Sequence, residues 1–477
     1  MFLALVLNSL RLLLRQKMPL PLFVIGSASL PLISYFAFSG DGTLVGVLKM
    51  MWGWQFYVAS AFFMLVTIYL ATTVLESEFR GFQILTTAVK PIPRWMLLFS
   101  KFTAVCILTG AGVIIAGASS YAALRWRSAD DAVTAIRRAS PETVNFTAAA
   151  RQKDAAAQRA SAMHNFFTAR RTVIPQMPDV LLEIRRNIAA LKAEDFPGGK
   201  KPSEKEIVEA ARNITLSKSF PIAFNAARDF NFTALPQTDA ELTFRYKVNG
   251  SQREGTLGWL QAYWEFSGAA GIAPYVRETN FRGGKEQEIT IPGKLIGKDG
   301  RLKVILGNIS APTDKAPAVE LTVPLDGLRL LIPDGSFAAN FSRAWVLLWI
   351  RLCLLAAVGV GFSPIIGGPV NGFLMVAVLF VGSLNSSFSG ICNPPPSPYR
   401  KHEDSAADTA KRWAARGIGL LPDFAESDPV DTVNKGELVS WRRVGTQAGK
   451  DILLRGGLAL LLGTYFLRRR ELAICHS

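Results

Sequence analysis

Apolar residues gather at the two ends of this chain, in runs too long for the helices of a soluble core. Leu20 to Phe38, Gly53 to Leu75, Trp95 to Leu124, Trp345 to Phe362, Val370 to Leu384 and Ile452 to Leu467 each read as a membrane-span candidate. Met1 to Lys17 reads as an amphipathic helix. Asn8, Arg11 and Arg15 share one side of it, which suits the membrane interface. Trp52 and Trp54 are expected to anchor the second span at the headgroups. Arg351 interrupts the fourth span and is expected to snorkel to its outer end.

The middle of the chain has a different period. Residues 125–217 are rich in Ala, Arg, Leu and Gln and favour helices. Residues 218–335 turn to alternation. Leu242-Thr-Phe-Arg-Tyr-Lys-Val248 predicts a strand, with Asn249-Gly250 as a hairpin turn. Glu288 to Pro292, Leu302 to Leu306 and Val319 to Val323 predict further strands. The expected fold is therefore an α-helical polytopic membrane protein of about six transmembrane helices. Between its spans lies an α+β extracytoplasmic domain, a helical part followed by a β-sandwich-like lobe. In this division 1–124 holds the first three spans and 125–340 the extracytoplasmic domain. Residues 341–477 hold the last three spans, with 385–450 as a second extracytoplasmic segment.

Composition sharpens this picture. Of 477 residues 49% are hydrophobic, and the formal net charge is +16. In a membrane chain that excess belongs at cytoplasmic span ends, and no nucleic-acid-binding signature accompanies it. Arg11, Arg15, Lys17, the Arg80-to-Lys101 junction and Arg468 to Arg470 all fit one cytoplasmic side. Both termini are then cytoplasmic in a multi-pass protein of a bacterial inner membrane. Whether 359–372 is a cytoplasmic turn stays open in the sequence. A cleaved leader is not expected, because the first charges follow the apolar stretch.

Catalytic chemistry has no visible motif. The run Gly293-Lys-Leu-Ile-Gly-Lys-Asp299 has the wrong spacing for a phosphate loop and lacks its hydroxyl residue. The three histidines and four cysteines have no ligand-like spacing. No catalytic, cofactor or metal residue is expected, and any nucleotide energy must come from a partner.

One junction carries a pattern of its own. Glu76-x-Glu78-x-Arg80-Gly81 is followed by Phe82, Leu85-Thr-Thr, Lys90-Pro91-Ile-Pro-Arg94 and Lys101. With the ending Tyr465-Phe-Leu-Arg-Arg-Arg-Glu-Leu-Ala473 and the approach Asp334-Gly-Ser-Phe to the fourth span, it resembles ABC-2-type permeases, the membrane subunits of ABC exporters. The resemblance covers the spans and their junctions. It implies a coupling helix over 76–94, with Glu76, Glu78, Arg80, Gly81, Phe82, Leu85, Lys90, Pro91 and Arg94 engaging a separate ATP-binding cassette ATPase. It also implies a second permease copy or paralogue, and lipid, as partners. The insert between spans three and four departs from simpler members. A non-transporting membrane-anchored sensor or scaffold is the alternative, and a membrane-bound enzyme is the weaker one.

Overall fold

The computed structural model describes residues 1–16, 19–37, 43–80, 93–130, 148–176, 220–250, 259–268, 270–310, 319–324, 327–392, 424 and 428–469. The chain divides into a helical unit, 1–169 with 335–389 and 415–477, and a second unit comprising 170–334 and 390–414.

The helical unit begins with α1 (Phe2–Arg15), which buries Val6, Ser9 and Leu13 and leaves Arg11 and Arg15 exposed, as its amphipathic pattern requires. Next come α2 (Pro19–Phe36), α3 (Leu44–Arg80), α4 (Arg94–Asp130) and α5 (Ala148–Asn165). After the second unit follow α6 (Phe337–Phe362), α7 (Gly368–Cys392), α8 (Val430–Asn434), α9 (Trp441–Ala448), a π-helical stretch (Gly449–Gly456) and α10 (Gly457–Arg469). Four of these helices are long and apolar enough to cross a membrane, over Leu44–Glu76, Arg94–Ala129, Phe337–Phe362 and Gly368–Asn385. They mark the chain as a membrane protein. The apolar part of α2, Pro21–Ile33, is shorter.

Each of the four outruns its apolar core in the sequence. Charged ends such as Glu76 and Arg94 continue the helical backbone, because hydrogen bonding along a helix does not stop where hydropathy falls. The longer α3 changes the role of Trp52, which is fully buried rather than anchored at an interface. Its ring lies 4.7 Å from Phe341 and 5.1 Å from Phe56, and only Trp54 faces outward. Small residues set the closest helix approach. A β-carbon at Gly463 of α10 would collide with the Gly361 carbonyl of α6, and one at Gly361 would stand 2.5 Å from the Ala459 carbonyl oxygen. Helices that share apolar surroundings gain from such backbone proximity rather than from hydrophobic burial.

The chain leaves and re-enters the helical unit at neighbouring points. Phe166 and Phe167, after α5, lie 5.4 and 5.0 Å from Phe337 at the start of α6. The boundary at Ala169 falls inside the stretch expected to be helical, and Arg170–Val173 already forms a strand.

The second unit contains β1 (Arg170–Val173), β2 (Phe220–Ile222), β3 (Ala227–Phe232), β4 (Glu241–Lys247), β5 (Asn249–Gly250), β6 (Trp259–Ser267), β7 (Tyr275–Arg282), β8 (Glu286–Pro292), β9 (Leu302–Asn308), β10 (Leu321–Val323) and β11 (Leu328–Pro333). Two sheets have four strands, in the orders β1-β11-β4-β8 and β3-β9-β6-β7, and a smaller one runs β2-β10-β5. All pairs are antiparallel. The inward faces of the two larger sheets meet in an aromatic core: Phe244 of β4 lies 5.1 Å from both Trp264 and Phe266 of β6.

The structure overturns the expected hairpin at Asn249-Gly250. That dipeptide is a short strand paired with β10, while β4 pairs with β11 and β8. The tight turn lies instead at Gly283-Gly284, between β7 and β8, where Gly284 has φ +79° and donates its amide to the Val248 carbonyl at 2.9 Å. The alternation of β4 also does not expose one face. Thr243 and Arg245 are as buried as Phe244, and the Arg245 guanidinium holds Glu288 at 2.7 Å. Burial pushes the Arg170 guanidinium on the same sheet downward, partly offset by Glu288 and reinforced by Arg245.

Candidate functional site

The residues expected to couple to a partner lie where α3 ends and α4 begins. Glu76, Glu78 and Arg80 are on the last helical turns of α3, and Arg94 opens α4. Gly81, Phe82, Leu85, Lys90 and Pro91 lie outside the described residues. Helix ends leave backbone groups without intrahelical partners, so charges there act strongly. Arg94 and Glu76 act in this way.

Arg94 reaches across to the end of α10. Its Nη1 donates to the Leu467 carbonyl at 2.8 Å and to the Arg468 carbonyl at 2.7 Å. A guanidinium fits there because the last carbonyls of a helix concentrate negative potential. Glu76 meets the opposite kind of end. Its carboxylate occupies the space that any β-carbon at Gly368 would need, at the first residue of α7. A negative charge is favoured beside the amides that open a helix, and glycine is what lets it come so near.

These contacts place the α6–α7 turn, 363–367, at the same end as the junction between α3 and α4, which the sequence left open. The end of α10 belongs there too. At about 1.5 Å per residue, the 37-residue α4 separates this end from the opposite one by about 54 Å.

A second cluster lies deeper, away from that end. Arg351 of α6 does not snorkel. It is 5% exposed, its guanidinium stands 6.0 Å from the Phe424 ring, and the carboxylates whose charge reaches it are Asp428 and Asp451. Asp451 is fully buried in the π-helical stretch. Its Oδ1 accepts from Arg455 Nη1 and its Oδ2 from Gln447 Nε2, each at 2.6 Å. Asp428 accepts from the Tyr57 hydroxyl at 3.0 Å through Oδ2 and from the Val430 amide at 3.0 Å through Oδ1. Its carbonyl takes the Arg443 guanidinium at 3.1 Å.

Packing register explains why Arg351 and Asp451 share a level. A β-carbon at Gly456 would stand 3.1 Å from Ala357. Arg351 lies six residues before Ala357, and Asp451 five before Gly456. The contacts advance together along both helices, 357 with 456 and 361 with 459, so the two run parallel and Arg351 and Asp451 stand at similar heights. Ionisable groups inside an apolar helical unit are costly, and where they occur they mark working parts. π-helical insertions concentrate at such places.

Sequence reasoning missed Asp451 because it opened the last span one residue later, at Ile452. The spacing of Asp451 and Arg455, four residues apart at the head of an apolar run, was the available signal. Comparison of the chain with protein-family models, with curated proteins and with solved structures gave no match.

Proposed function

We propose that this chain is the permease subunit of an ABC transporter, forming the transmembrane path and coupling to a separate ATPase through residues 76–94. The observation that carries this reading is mechanical. The two ends of the 76–94 segment are tied to other helices, Glu76 to the start of α7 and Arg94 to the end of α10. A partner that displaced the segment would load both helices at once.

About six helices cross the bilayer, the four long ones with α2 and the helix ending in α10. Helical backbone runs unbroken from Trp441 to Arg469, about 42 Å at 1.5 Å per residue, against a hydrocarbon core of about 30 Å. Both termini and the 76–94 segment face the cytoplasm of a bacterial inner membrane, in accord with their basic flanks. The β unit is a sandwich-like extracytoplasmic lobe, supported by the meeting of its two four-stranded sheets. A second permease copy or paralogue completes the path, and the ATPase supplies the phosphate loop that this sequence lacks.

Phe82 is the aromatic expected to anchor the partner, with Glu78, Arg80 and Lys90 flanking it in the sequence. Phe82→Ala is expected to weaken ATPase association by roughly 1–3 kcal/mol, about ten- to a hundredfold. Glu78→Lys is expected to slow association and raise its salt sensitivity, since a rim charge steers encounter. Binding of the purified ATPase to nanodiscs carrying each variant tests this. Wild-type affinity in both variants would remove the segment from the interface.

A further inference from the structure

α10 touches both sites. Its last carbonyls hold Arg94, beside the proposed coupling segment. Its first turn continues from the π-helical stretch that carries Asp451. Between them it packs on α6 through glycine contacts that leave little lateral freedom, Gly463 on Gly361 and Gly361 on Ala459. A rigid helix held at its sides can still slide or turn along its axis.

The joint at its upper end is of the right kind. Eight residues, Gly449–Gly456, adopt π geometry, and the backbone on either side stays right-handed helical. Glycine supplies little helix propensity, and here it stands at both margins, Gly449 with Gly445 before it and Gly456 with Gly457 after it. A π insertion accommodates an extra residue in its turn, so its loss shifts the register of everything beyond it. Asp451 sits in that insertion with Arg455, which closes it just before α10, while Gln447 is on α9 and Arg351, which the charge of Asp451 reaches, is on α6. A register change in the π stretch must therefore alter these contacts.

We propose that α10 is the rod, and the π-helical stretch the joint, by which displacement at Arg94 remakes the ion pair of Asp451 with Arg455 and its hydrogen bond with Gln447, and with them the charge that faces α6. Arg351, Asp451 and Arg94 are then positioning residues of one relay, set between the two ends of the helical unit. The purpose of the relay rests on the transporter reading, but its existence does not.

Hydrogen exchange on the full chain in lipid nanodiscs, without any ATPase, tests the relay. Arg94→Ala is expected to speed amide exchange tenfold or more at 464–469 and also at 449–456, with Arg94→Lys intermediate at both. Asp451→Asn is expected to speed exchange at 449–456 and at 464–469. Unchanged exchange in the β unit reports that each variant is folded. Should Arg94→Ala act at 464–469 while 449–456 stays within twofold of wild type, the relay is wrong. A chain that binds an ATPase yet shows only this local effect loses the relay alone. One that shows the coupled effect yet never binds an ATPase keeps the relay and loses the transporter.

Discussion

Replacement of Trp264 by alanine is expected to cost the β unit about 3–5 kcal/mol. The indole is fully buried on β6, with Tyr246 at 4.6 Å and Phe244 at 5.1 Å, and it stands where the faces of the two larger sheets meet. Its Nε1 donates to Thr279 Oγ1 on β7 at 3.1 Å, so truncation also removes this cross-strand hydrogen bond. The surrounding groups belong to paired strands and have little room to collapse into the space left behind. Trp264→Phe, which keeps most of the ring volume and loses the donor, is expected to cost less. Chemical denaturation followed by the fluorescence of the remaining tryptophans compares the two. Equal stability of Trp264→Ala and wild type would mean that these sheets do not share a core.

The second large effect is expected at Asp451. Asp451→Leu removes the buried carboxylate that holds Arg455 and whose charge reaches Arg351. Breaking a buried pair from one side costs about 3–5 kcal/mol, because the remaining charge keeps its desolvation penalty. Removing Arg351 as well, in Asp451→Leu with Arg351→Leu, is expected to restore part of that loss. Thermal unfolding of the four members of this cycle in nanodiscs measures the coupling. If the two losses simply add, Arg351 and Asp451 do not share a network.

Much of the helical unit was legible because hydropathy and length report directly on burial in an apolar medium. Among the described residues, each of the four helices long enough to cross a membrane contains a span read from the sequence. The helix ends were not legible, since Arg94 and Glu76 extend helices by interacting with other helix termini, and those lie hundreds of residues away in the chain. The same distance hid the Asp451 cluster. Gln447 and Arg455 lie four residues to either side of Asp451, but Arg351 of α6 and Asp428 before α8 do not, and no local spacing brings those in.

In the β unit, alternation found β4, β8, β9 and β10. β6 alternates as clearly, with Leu260, Ala262, Trp264 and Phe266 inward, and was passed over. β11 has Leu330, Leu331 and Ile332 all buried, so its pattern carries no period of two. Asn249-Gly250 failed as a turn signal because pairing with β10 outweighed local preference. The coupling residues Gly81, Phe82, Leu85, Lys90 and Pro91 remain a reading of sequence pattern. What the structure adds is the fixing of Glu76 and Arg94 on either side of them.

The transporter reading stands most directly on whether an ATPase belongs to this chain. Purification in mild detergent, with mass spectrometry of what accompanies the chain and an assay of nucleotide hydrolysis on the product, decides it. A stoichiometric subunit bearing a phosphate loop is expected, with hydrolysis that leaves the preparation when that subunit is stripped away. A chain that purifies without such a subunit from its native membrane, under conditions that preserve its fold, would contradict it.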